Sequence, residues 1–114
     1  MKIMARTLLL LAGMTAATAA NAQTPYYWDG GIVNIGGNGN GISAGGAGNW
    51  NTTLTNWDTG NGLPYGAWVN VSNLTAVFGG TAGTVTLTTP ITVGGMQFDT
   101  TGYNITTGAN TLTF

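Results

Sequence analysis

Cysteine and histidine are missing from these 114 residues, and charge is nearly so. Without cysteine there is no disulfide framework and no thiolate chemistry. The only two basic residues are Lys2 and Arg6, and the only acidic ones are Asp29, Asp58 and Asp99. A chain with no Lys or Arg beyond its first residues cannot release counterions from phosphates, which excludes nucleic acid as a partner and argues against anionic lipid surfaces. The same shortage limits catalysis. Ser43 and Ser72 have no base to activate them, and three isolated Asp residues beside turn residues read as acceptors of backbone N–H groups. The chain is read as a non-enzyme, with no cofactor and no metal site.

Long apolar runs are also lacking. Thr7 to Met14 is the most continuous one, far below the roughly 20 residues that span a bilayer. It follows Lys2 and Arg6 and is followed by Ala20-Asn21-Ala22, the pattern of a secretory signal with cleavage between Ala22 and Gln23. Residues 1–22 are therefore assigned as a signal peptide. Solubility of the rest depends on Asn, Thr and Gly, and chains so poor in charge tend to associate.

What is abundant is strand pattern. From Thr75 to Phe114, apolar i, i+2 pairs recur at Val85/Leu87, Ile91/Val93, Met96/Phe98, Tyr103/Ile105 and Leu112/Phe114, so that each pair faces one core. Val85 to Ile105 is a step of 20 and Ile91 to Leu112 a step of 21. One coil of a three-faced solenoid uses that period. Gly94-Gly95 is read as a corner between faces or as the turn of a hairpin, and the second option makes the chain a small antiparallel β-sandwich. Pro90 precedes a strand, where its missing N–H does little harm. The chain stops within the alternating run Thr111-Leu112-Thr113-Phe114, which reads as mid-strand, so the piece is expected to be the start of a longer protein whose last strands expose an unpaired edge.

Residues 23–74 read as a Gly-, Asn- and Trp-rich cap preceding coils in 75–114. Tyr26-Tyr27-Trp28 is too apolar to leave in water, Ile32-Val33-Asn34-Ile35 reads as a short strand, and Gly36-Gly37-Asn38-Gly39-Asn40-Gly41 as a flexible surface loop. That glycine run is no phosphate cradle, because Ile42 to Gly48 cannot start a helix. It copies the spacing of calcium-binding nonapeptides, but Asn40 replaces the carboxylate that a hard cation needs, and there is no second copy. Trp50, Trp57, Tyr65 and Trp68 carry two readings: they fill and cap the first coil, or they present rings to a surface glycan. Asn51, Asn70, Asn73 and Asn104 head N-x-[ST] sequons, which matter only in a eukaryotic source.

Asn56-Trp57-Asp58, Ala67-Trp68-Val69-Asn70, Thr75-Ala76-Val77-Phe78-Gly79, Gly83-Thr84-Val85-Thr86-Leu87 and Val93-Gly94-Gly95-Met96-Gln97-Phe98, in that order, resemble the opening of proteins with autotransporter-associated β-strand repeats. The resemblance runs from about Tyr27 to Phe114. It implies a bacterial secreted or cell-surface protein, anchored in or beyond the outer membrane and folded as a right-handed parallel β-helix, the passenger portion of an exported chain. A departure is Asn73-Leu74-Thr75, where such sequences often place a small acidic turn. Two functions follow as expectations. One is a structural or adhesive β-helix scaffold whose partners are the remainder of its own chain, further copies of itself or a surface glycan. The alternative is a small secreted carbohydrate-binding β-sandwich.

Overall fold

The computed structural model describes residues 22–114. The signal segment, with Ala20, lies outside them except for Ala22, which with Gln23 is exposed at the start of the described chain. Nine short strands follow and the described residues contain no helix: β1 (Thr24–Trp28), β2 (Gly48–Trp50), β3 (Trp57–Asp58), β4 (Leu74–Phe78), β5 (Thr84–Leu87), β6 (Ile91–Thr92), β7 (Gly95–Phe98), β8 (Asn104–Thr106) and β9 (Leu112–Thr113).

The strands form three sheets, with orders β3-β1-β4-β7, β2-β5-β8 and β6-β9. All pairings are parallel except β1 with β3. Thr75 pairs with Gly95, Thr84 with Asn104 and Ile91 with Leu112, so the 20- and 21-residue spacings of the sequence are the register itself. A parallel partner cannot be reached through a tight turn. Accordingly β6 pairs with β9 and β7 with β4, and Gly94-Gly95 turns the chain from one sheet to the next without making a hairpin. Strands from residues 23–74 and from 75–114 share sheets, β1 with β4 and β2 with β5.

Register places like on like. Ala76 lies beside Met96, Phe78 beside Phe98, Val85 beside Ile105 and Ile91 beside Leu112. Phe78 and Phe98 stack with centroids 5.0 Å apart and planes at 14°. Phe78, Val85 and Ile91 are buried, whereas Met96, Ile105 and Leu112 are only half-buried and Phe98 is exposed. The core is thus closed at the β1/β2 end and shallow at the β7/β8/β9 end.

Two expectations are corrected. Ile32 to Ile35 is not a strand: Asn34 adopts φ 51°, a left-handed conformation that Asn tolerates and an extended chain does not allow. Ile32 and Val33 are consequently exposed. The true first strand is the aromatic run Thr24–Trp28, which had been assigned only to covering the core. The glycine loop, expected to be flexible, is pinned. Gly39 N–H donates to Leu63 O at 2.8 Å, Gly62 N–H to Gly39 O at 3.0 Å, and Asn38 bridges Pro64.

Candidate functional site

The described chain is organised around four indoles. Trp28 ends β1, Trp50 ends β2, Trp57 opens β3, and Trp68 comes from the segment between β3 and β4. Trp57 is their hub, with ring centroids 4.8 Å from Trp68, 5.0 Å from Trp28 and 5.1 Å from Trp50. Most of these pairs are tilted or edge-on, the arrangement that ring quadrupoles favour. Phe78 packs beneath Trp28, Trp50 and Trp57 at 5.6 to 6.0 Å. Each buried indole withdraws about 200 Å² from water, on the order of 5 kcal/mol of gross transfer free energy. That is how a chain without disulfides assembles a core from so few residues.

This packing settles where the proposed glycan platform lies. Trp50 and Trp57 are 0% exposed and Trp68 1%. No ring face is open to a sugar at these three positions, so the expectation of glycan contact there is corrected in favour of core filling. Tyr65 remains half-buried, but its hydroxyl donates to Asp29 Oδ2 at 2.7 Å. That bond, burial and the nearby Asp29 and Asp58 charges push its phenol up to about 12. Burial likewise raises Tyr103, whose hydroxyl sits against the Gly79 carbonyl.

The three carboxylates stay apart and act as backbone organisers. Asp58, fully buried, accepts from the N–H groups of Asn40, Gly41 and Gly60, each at 2.8 Å. A Cβ at Gly39 would overlap that carboxylate, so glycine is required there for the loop to close on it. Asp29 accepts from Ala44 N–H at 2.5 Å as well as from Tyr65. Asp99 is exposed and accepts from Gln97 Nε2. Among the described residues no three His, Cys, Asp or Glu side chains gather in a cluster that could hold a metal. A shallow cleft of about 360 Å³ lies over Asp29, Tyr65 and the Gly45-Gly46 backbone, and both Asp29 oxygens facing it are already engaged.

What the sequence did not reveal is the role of asparagine side chains at strand edges. The groups of β6 that point away from β9 are Pro90 O, Thr92 N–H and Thr92 O. Asn70 Nδ2 donates to Pro90 O at 3.0 Å, Asn70 Oδ1 accepts from Thr92 N–H at 2.9 Å, and Trp68 Nε1 donates to Thr92 O at 3.0 Å. Two side chains thus substitute for a neighbouring strand. On β2, Asn56 Nδ2 donates to Asn49 O at 3.1 Å, and on β1 the same duty falls to β3. Asn70 was legible only as the head of a sequon, because a carboxamide that mimics a peptide group carries no periodic signal.

No family model matches the chain, and no solved structure matches it. Among curated proteins, the Adhesin BmaC autotransporter of Brucella suis biovar 1 (strain 1330) is 48% identical over 109 residues, covering 93% of this chain and 3% of that protein. The chain therefore spans only a small part of the length of the relative it matches. The autotransporter resemblance carried by the Trp- and Gly-containing motifs is borne out by this kinship.

Proposed function

We propose, from the premise that this chain is an autotransporter-associated sequence related to an adhesin, that it is a non-enzymatic scaffold segment of an exported, surface-exposed adhesive protein. In this reading residues 1–22 direct export and are removed. Residues 23–74 supply the aromatic end and 75–114 the first regular coils of a right-handed parallel β-helix, which presents outward Thr and Asn side chains at the cell surface or outer membrane. The single observation that supports it most is the register: three separate parallel pairings, each offset by 20 or 21 residues. A chain winding once per offset is the simplest path through them. Adhesion then rests on outward hydroxyls and amides, since the indoles are inside.

The test uses the cysteine-free background. Thr86 and Thr106 are register partners whose hydroxyls lie 3.1 Å apart, so a Thr86→Cys/Thr106→Cys chain expressed in a bacterium should be exported, begin at Gln23 and carry an intramolecular disulfide by mass. A chain retained with residues 1–22 in the cytoplasm overturns the export reading. A processed chain with two free thiols overturns the stacked coil.

A further inference from the structure

The two ends of the strand stacks are finished differently. At one end β1, β2 and β6 have their outward backbone groups taken by β3, by Asn56, and by Asn70 with Trp68. At the other end β7, β8 and β9 each pair on one side only among the described residues. Their sequences, GMQF, NIT and LT, contain no charge and no proline, the two devices that usually blunt a free edge. Phe98 and Phe114 are exposed there at 48% and 75%.

We propose that this bare end is an interface between two copies of the chain, which join bare end to bare end about a two-fold axis. The sealed end decides this. Head-to-tail stacking would need free backbone groups on β1, β2 and β6, and those are occupied, so the heterologous contact that builds filaments is blocked while the isologous one closes. With three sheets around one core, a two-fold axis through the β7 face sets β7 against β7 of the second copy in antiparallel pairing. It also exchanges the other faces, setting β8 against β9. The area suffices: a coil of 20 residues rising about 3.3 Å each has a perimeter of about 65 Å. With its outward side chains it covers on the order of 500 Å² per copy, about the 1,000 Å² total at which specific interfaces begin. The absence of Lys and Arg and the distance of Asp29 and Asp58 from this end leave little repulsion between copies.

This inference rests on the stacked-coil reading, and the test separates the two. The exported chain is measured by size-exclusion chromatography with light scattering over a concentration series. The expected result is a dimer that grows no further. Phe98→Lys, and independently Gln97→Lys on an exposed edge position, should each weaken it at least about tenfold in Kd. Asn70→Ala, which reopens β6, should add species larger than the dimer. A monomer at all concentrations overturns the interface, open-ended growth of the unaltered chain overturns the seal, and an Asn70→Ala chain that stays dimeric removes Asn70 from it. The Thr86→Cys/Thr106→Cys disulfide is scored in the same samples: if it fails to form, the coil reading has failed, and if it forms in a monomer, only the interface has.

Discussion

Of the four buried indoles, two have their N–H groups bonded and two do not, and this makes Trp→Phe substitutions unequal. Trp28 Nε1 donates to Gly46 O at 2.8 Å, while Trp50 Nε1 and Trp57 Nε1 have no partner. Trp28→Phe and Trp57→Phe delete the same atoms from equally buried sites, so their transfer and cavity costs are similar and cancel in the comparison. What remains is polar. Trp28→Phe removes a donor from the Gly46 carbonyl, a loss of about 1 to 3 kcal/mol if that oxygen stays dry. Trp57→Phe instead removes an orphaned buried donor whose only neighbours are aromatic rings, a contact worth no more than about 1 kcal/mol. Trp28→Phe should therefore be the more destabilising by about 2 kcal/mol. The assay is urea unfolding of both variants and the parent by far-ultraviolet circular dichroism, accepted only where the slopes agree, since equal slopes mean equal surface exposed on unfolding. Equal midpoints for the two variants, or a lower one for Trp57→Phe, would refute the reasoning.

Two further outcomes follow from the anchors of the glycine loop. Asp58→Ala leaves three backbone N–H groups without their acceptor and should cost about 3 kcal/mol or more in urea unfolding, with amide exchange accelerated at Asn40, Gly41 and Gly60; unchanged protection there would contradict the pinned loop. Tyr65 supplies a pH signature. Because its folded-state value is raised to about 12 from an ordinary 10.0, its contribution to stability is fully present below pH 10 and is lost as pH rises through 12. A spectroscopic titration of the phenols should show one late-ionising tyrosine that disappears in Tyr65→Phe, and a parent chain whose tyrosines all ionise together near pH 10 would count against the Asp29 contact.

The sequence alone determined the all-β class, the stacking period and the poverty of chemistry. These are one-dimensional facts: apolar i, i+2 pairs at Val85/Leu87 and Tyr103/Ile105 state both which face is inside and how far along the chain the equivalent strand lies. Lys2 and Arg6 showed by their positions that the remainder has no basic group. The tertiary structure alone decided parallel pairing over a hairpin at Gly94-Gly95, since two glycines permit either path and only the neighbour across the sheet tells them apart. It also decided the fate of the aromatics and asparagines. Trp50, Trp57 and Trp68 could have faced a sugar as readily as a core, because hydrophobicity does not say which surface a ring covers. Asn70 closes a strand edge only because the chain brings its carboxamide beside Pro90 and Thr92, some twenty residues away, and a long-range hydrogen bond of that kind leaves no trace in local spacing.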